Sequence, residues 1–374
     1  MRILVVSGIW PPDVGGPASH APEAADALAA RGHAVEVVTT ADAEPEPRPY
    51  PVRWGSRRLP PGVRHARVAW LIRSAARRAD VVYSTGMPGR SAAGARLART
   101  PLVLRLTGDP AYERALQHGL TNASLLDFQR ERGWRIGLLR WVRDRSVARA
   151  VRVLCPSAAL RDVVVGWGAD AARIDVLPHA LDVPDPGERR ELRARHGFEG
   201  TTLVYAGRLV PQKEVDVGLR AVAAAEGVSL VVAGDGESRP ALEALARELD
   251  PAGRVRFLGA QPRETVLELL KGADATLLSS SWESFGLVVA ESLALGTPVI
   301  STAGGAVAEL VEDGRNGLLA PPGDPAALAA AIGRFTASIE LQAHLRAAAA
   351  PSAERFSPAA VYGELERILA DATR

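Results

Sequence analysis

Short apolar runs alternate with amphipathic stretches along the whole chain. In the first half, the runs at 3–6, 35–38, 81–83, 102–106, 151–154 and 174–177 read as strands, and helical periodicity covers 18–30, 64–78, 134–149 and 158–166. In the second half, strands are expected at 203–205, 230–233, 255–258, 275–278 and 299–300, and helices at 213–225, 238–249, 262–271, 286–295, 325–334 and 338–349. Continuous β-branched runs separated by helices indicate parallel strands covered on both faces. Two such sets predict two doubly wound α/β domains. The stretch HALDVPDPG at 179–187 punctuates the chain between them, which sets expected domains at 1–182 and 183–355. A further helix is expected over 356–370, with Ser357 and Pro358 in the N-cap and N1 positions. The six prolines of 44–61 predict a mobile loop inside the first domain.

The length of 374 residues fits this division, since a domain averages roughly 150 residues. The single cysteine, Cys155, excludes a disulfide framework and a cysteine-cluster metal site, and fits a reducing cytosol. No apolar run reaches the length of a membrane span, and the apolar start is too short for a signal sequence. The net charge of +2 hides an asymmetry: 1–182 carries +9 and 183–374 carries −7. Only Lys213 and Lys271 are lysines among 45 basic residues, which draws attention to both.

Ligands of open α/β sheets bind outside the carboxyl ends of strands. Four such junctions carry more than turn chemistry. After the first strand, WPPDVGG places Gly15 and Gly16 before a helix expected near Ala18, where free amides and the helix dipole favour an anion. A plain tight turn explains the same residues, and neither a dinucleotide fingerprint nor a P-loop is present. After 203–205, AGRLVPQK sets Arg208 and Lys213 five apart at a helix start. Cations are disfavoured there, so either the two charges are solvated or a bound diphosphate compensates them. After 230–233, AGDG reads as a tight turn. After 275–278, SSSWESFGLVVAE sets Glu283 in the loop and Glu291 inside the helix that follows, with Gly304 and Gly305 at the next strand end. Two carboxylates so spaced suit two hydroxyl pairs of one long ligand; a helix cap and a surface glutamate are the plainer reading.

These motifs, in this order and over nearly the whole chain, resemble those of GT-B glycosyltransferases of the retaining family 4. The resemblance rests on WPPDVGGPASHAPEAADALAARGHAVEVVT, VLPHALD, AGRLVPQKEVD, AGDGESRPALE, VRFLG and SWESFGLVVAESLALGTPVISTAGGAVAELVEDGRNGLL, the last holding the Glu-x7-Glu element as Glu283 and Glu291. It implies two Rossmann-like domains facing a central cleft, an acceptor-binding first domain, a donor-binding second, and a helix over 356–374 packing back on the first. It implies a hexosyltransferase-like enzyme that moves a sugar from a UDP- or GDP-sugar to a hydroxyl acceptor by front-side attack, with no metal and no cofactor beyond the donor. By the same resemblance, Gly15 and Gly16 approach the diphosphate and Arg208 and Lys213 neutralise it. Glu283 binds sugar hydroxyls; Ser284, Phe285, Gly286 and Leu287 line sugar and phosphate through their backbone. Glu291 holds the ribose and Gln261 borders the base.

Some positions depart from the family pattern. His179 stands in PHALD where PNGVD is commoner, and reads as a linker histidine. Glu214 follows Lys213 where glycine is frequent. The loop RLTGDPAYERA carries Asp109, either an acceptor-orienting carboxylate or the cap of the following helix. Residues 130–152 mix eight arginines with Trp134, Ile136, Leu138, Leu139, Trp141 and Val142. They read as a core helix with a basic outer face, or as a peripheral contact with the inner face of a membrane or a lipid-phosphate acceptor. Nucleic acid is not an expected partner at 5% aromatic content with no binding module. A GT-B-type sugar-nucleotide epimerase and a non-catalytic sugar-nucleotide binding protein are the competing readings. A Rossmann oxidoreductase lacks its glycine fingerprint.

Overall fold

The computed structural model describes residues 1–13, 16–250 and 252–374. The chain divides into two compact units, Met1–Ala180 with Pro358–Arg374, and Leu181–Ser357. In the first, β1 (Arg2–Val6), β2 (Ala34–Ala41), β3 (Val52–Ser56), β4 (Val81–Ser84), β5 (Leu102–Arg105), β6 (Arg152–Cys155) and β7 (Ile174–Val176) form one sheet in the order β3-β2-β1-β4-β5-β6-β7. Every pairing is parallel; Ile3 lies beside Val35 on one flank and Val81 on the other. Ile3, Leu4, Val5 and Val6 are all buried, because helices cover both faces.

The 44–61 expectation needs correction. Its second half is the edge strand β3, paired in parallel with β2 from Val52 to Ser56. Arg53 and Gly55 break the continuous apolar run that marks the other strands. Gly55 is required by packing, since a Cβ there would meet Val68 Cγ2 at 2.6 Å.

The helix Pro358–Asp371 belongs to the first unit. Val361, Leu365, Ile368 and Leu369 repeat at helical spacing and enter the same apolar cluster as Ala21, Ala25 and Leu28 of the helix Gly16–Ala30. Tyr362 donates its hydroxyl to Glu23 Oε2 at 3.1 Å, and Glu366 Oε1 pairs with His33 Nε2 at 2.8 Å.

The second unit repeats the scheme. β8 (Thr201–Ala206), β9 (Val228–Ala233), β10 (Val255–Gly259), β11 (Ala275–Leu278), β12 (Val299–Thr302) and β13 (Gly317–Ala320) form a parallel sheet in the order β10-β9-β8-β11-β12-β13. The strand order reverses between β8 and β11, and at such a switch point the loops leaving two neighbouring strands part and open a crevice.

Candidate functional site

The loops leaving β8 and β11 are stitched together at that switch point. Ser279 Oγ donates to the Lys213 carbonyl at 3.2 Å, and Ser281 Oγ donates to the Gln212 carbonyl at 3.2 Å. The chain after β8 passes through a 3₁₀ turn, Pro211–Lys213, before the helix Val215–Ala224. Lys213 therefore ends a turn rather than opening the helix. The residue between, Glu214, has φ 43°, the left-handed conformation that glycine adopts without steric cost. Its carboxyl is raised above the ordinary range by burial and by the neighbouring Asp216.

Lys213 Nζ meets Glu283 Oε1 at 2.5 Å, and Ser280 Oγ donates to the same oxygen at 2.7 Å. The charge that seemed to call for an outside anion thus has a partner within the unit. Both side chains retain some exposure, 21% for Lys213 and 11% for Glu283. The loop after β12 holds Glu283 from behind: its amide donates to the Gly304 carbonyl, and its carbonyl accepts from Ala306 N at 2.9 Å. A Cβ at Gly304 would press on the Ser280 and Ser281 carbonyls at 2.6 Å, and one at Gly305 would strike the Glu283 carbonyl. The glycine pair is therefore what lets this loop close on the site.

The Arg208 side chain is exposed and has no hydrogen-bond or ion-pair partner among the described residues. Tyr205, beneath it, donates to the Arg208 carbonyl at 3.1 Å, which fixes the backbone of the loop. The AGDG turn after β9 lies against this loop so closely that side chains at Gly234 and Gly236 would collide with the Gly207 and Leu209 carbonyls. Asp235 turns outward and pairs with Arg239 at 2.9 Å.

Phe285 is buried and packs edge-on against Phe356 at 5.5 Å, so its ring is core and only its backbone faces the loop. Gly286, at φ 88°, precedes the helix Leu287–Ala294, whose start has no side-chain cap and no acid in its first turn. Ser284 is partly exposed, and Leu287 is exposed at the first helical position. This end of the helix offers amides and partial positive charge. Glu291, farther along, accepts from Arg263 Nη2 at 3.0 Å. Gln261, in the loop after β10, donates to the Leu258 carbonyl at 2.8 Å. Ser280 and Arg263, which hold the two glutamates, are the contributors that pattern reading missed; a serine triplet and an arginine in a loop carry no distinguishing signal.

The first unit places its candidates differently. Gly15 lies outside the described residues. Gly16 is the first residue of its helix rather than part of a loop before it. Asp109 is the N-cap of the helix Pro110–Gln117. Its Oδ1 accepts from Ala111 N at 2.8 Å, and its Oδ2 accepts from Gln129 Nε2 at 2.9 Å and pairs with Arg143 Nη1 at 2.6 Å. The side chain is 0% exposed, so the cap reading holds and no surface remains to orient an acceptor. His179 lies edge-on to His20 at 5.6 Å, inside a cluster with Tyr83 and Arg105. Beyond the carboxyl ends of β1, β4 and β5 lies a cavity of 440 Å³, bordered by Gly8, Thr85, Thr107, Arg90 and Arg114.

Two family profiles match the chain: "Glycosyl transferase 4-like domain" over residues 15–180 and "Glycosyl transferases group 1" over 188–351. The D-inositol 3-phosphate glycosyltransferases of Mycobacterium tuberculosis and Mycobacterium bovis are 41% identical over 168 residues. That match spans 42% of this chain and about a third, 35%, of each relative. Among solved structures, Alr3699/HepE of Anabaena in complex with UDP superposes with a TM-score of 0.79 at 22% identity, covering 99% of this chain and 100% of that one. The sucrose-phosphate synthase of Thermosynechococcus elongatus superposes at 0.77 with 21% identity, covering 99% of each chain. With two doubly wound parallel sheets, a C-terminal helix returned to the first, and both halves matched in order, the chain belongs to the GT-B glycosyltransferases of family 4.

Proposed function

We propose that the chain moves a sugar from a nucleotide diphosphate-sugar, a UDP- or GDP-sugar, to a hydroxyl acceptor with retention of anomeric configuration and without a metal. The observation that carries this reading is the exchangeable Lys213–Glu283 pair beside the unpaired Arg208 at the β8/β11 switch point. A diphosphate draws Lys213 toward itself and releases Glu283 to accept sugar hydroxyls. Arg208, Lys213 and the amides at Gly286 and Leu287 stabilise charge on the departing diphosphate, the work a divalent cation does elsewhere. Glu291 takes the ribose hydroxyls, and Gln261 borders the base. In the step itself the bond from the anomeric carbon to the phosphate oxygen breaks. The acceptor oxygen bonds that carbon on the same face, and its proton passes to the leaving phosphate. That UDP and UDP-glucose are bound in the structures of Alr3699/HepE supports the donor class.

Calorimetry with UDP and GDP and turnover of their sugars test this. Lys213→Ala should lower turnover about 10²–10³-fold, the usual effect of removing one preorganised charge-stabilising donor. Glu291→Ala should raise the donor KM, and EDTA should leave the rate unchanged. Unchanged donor turnover in both variants overturns the assignment. Product analysis separates transfer from epimerisation, and the product anomer reports retention. We place the enzyme in the cytoplasm, with the basic first unit able to rest on the inner face of a membrane; among the described residues no helix is long and apolar enough to cross one.

A further inference from the structure

A cavity of 310 Å³ lies between the second half of the helix Trp134–Ala148 and the turn that follows the helix Ala158–Val165. The first of these helices ends just before β6, and the turn comes before β7. The cavity therefore sits at the amino ends of these strands, on the far side of the sheet from the loops that carry ligands in open α/β folds. Trp141, Asp144, Arg145 and Ala148 line it from the helix, and their spacing puts them on one helical face. Trp167, Gly168 and Ala169 close the other side. Gly168, at φ 85°, turns the chain there, and a Cβ on it would meet nothing within 4 Å.

The groups around this cavity are held in place but leave hydrogen bonds unmade. Trp167 is fixed by two contacts: Arg143 Cζ lies 3.9 Å from its ring, and its Nε1 donates to Gln129 Oε1 at 3.0 Å. Arg143 Nε also donates to Asp144 Oδ1 at 2.8 Å, which leaves Asp144 Oδ2 with no partner among the described residues. The Arg145 guanidinium lies over Trp141 at 5.1 Å and has no hydrogen-bond or ion-pair partner among the described residues. The lining thus combines two indoles, a free acceptor oxygen and a free donor fork. A bare anion is repelled by Asp144 and a bare cation by Arg145. A neutral polyol suits both, because each hydroxyl gives one hydrogen bond and accepts others. A pyranose adds an apolar C–H face that lies flat on an indole, and a ring already pinned by its neighbours binds at little ordering cost. The volume is at the low end for small-ligand sites, which suits a short stretch of saccharide.

We infer that this cavity is a second, saccharide-binding site, in which Trp141 and Trp167 stack on a pyranose and Asp144 and Arg145 hold its hydroxyls. Its use, grasping a sugar residue of a glycan substrate away from the reacting end, rests on the glycosyltransferase reading. The binding chemistry belongs to the first unit alone.

Calorimetry on the full chain in lipid-free buffer tests this. Maltotriose, cellotriose and α-1,6-mannotriose are the probes, with glycerol and uridine as controls. At least one trisaccharide should bind tenfold or more tighter than glycerol. Trp141→Ala should weaken that probe about tenfold or more, the scale of one lost aromatic stacking contact. Arg145→Gln should weaken it several-fold, while Trp141→Phe, which keeps a ring, should stay close to the native chain. Trp141 and Arg145 are exposed, and thermal unfolding of each variant checks that the fold survives. Absence of binding by all three trisaccharides overturns the inference, as does binding undiminished by Trp141→Ala. Uridine binding that matches the best trisaccharide and falls in the same variants overturns the saccharide class. UDP is titrated separately and should bind the native chain and Trp141→Ala alike. Its failure to bind the native chain counts against the donor reading and leaves the trisaccharide results to be read on their own.

Discussion

Asp109 and Glu283 are both carboxylates in loops beyond strand ends, and both accept a cation, yet their surroundings assign them opposite work. Asp109 is enclosed, with both oxygens filled by two backbone amides, a glutamine and Arg143, whose guanidinium also stacks on Trp167 at 3.9 Å. Asp109→Asn removes the fully buried partner of Arg143 and leaves it only the partly exposed Asp144 at 2.8 Å; breaking a buried pair costs up to about 3–5 kcal/mol. The expected outcome is a fall of that size in chemical denaturation with an unaltered KM for the donor. A variant of native stability that lost turnover would return Asp109 to the chemistry. The two roles open for Asp109 in sequence cannot be told apart there, because capping and acceptor binding ask for the same residue type before a helix. Lys213 is legible in the sequence beside Arg208 as one of two lysines, and Glu283 as the first acid of the Glu-x7-Glu spacing; that they face each other depends on β8 and β11 being neighbours, which no local pattern encodes.

At the scale of elements, the helix Trp134–Ala148 buries one side of its mixed composition and exposes the other. Ile136, Arg143, Ser146 and Val147 point inward and are buried. Trp134, Leu138, Trp141 and Val142, at helical spacing on the other side, are exposed at 77%, 54%, 54% and 42%. Arg135 and Arg145 lie over Trp134 and Trp141 at 5.3 and 5.1 Å. An aromatic and aliphatic stripe carrying arginines suits the headgroup layer of an anionic bilayer. Full-length protein should sediment with phosphatidylglycerol vesicles, and Trp134→Ser with Trp141→Ser should cut the bound fraction several-fold; equal sedimentation of the double variant would show that this face does not dock. The same scale shows what pattern reading loses. Continuous apolar strands such as β1 and β9 announce themselves. β13, only Gly317–Ala320 between an Asn-Gly and a Pro-Pro, looks like a turn, and the helix Pro88–Ala98 hides in glycines and alanines that owe their helicity to packing on the helix Pro61–Ala76.

For the whole molecule, pH couples to stability through the first unit. His20 donates to or accepts from the Tyr83 hydroxyl at 2.9 Å, and burial, with the Arg105 charge, holds His20 and His179 well below the ordinary value of 6.5. Tyr362, itself bonded to Glu23, lies 6.3 Å from His20. Below pH 6.5 the unfolded chain gains protons that the fold refuses. Stability is therefore full above that point and declines as the pH drops, until the depressed folded-state values are reached. The melting temperature should hold from pH 8 to about 6.5 and fall toward pH 5, ahead of ordinary carboxylates near 4. Replacing both histidines by Gln should flatten this limb; an unchanged limb would assign the loss to other groups. One consequence of the return of residues 358–374 to the first unit concerns synthesis. The ribosome must make the 177 residues of Leu181–Ser357 before Val361, Leu365 and Leu369 can cover Ala21, Ala25 and Leu28. At ordinary elongation rates that interval lasts roughly 10–35 s. During it a greasy seam stands open on a nascent domain, a natural berth for a chaperone.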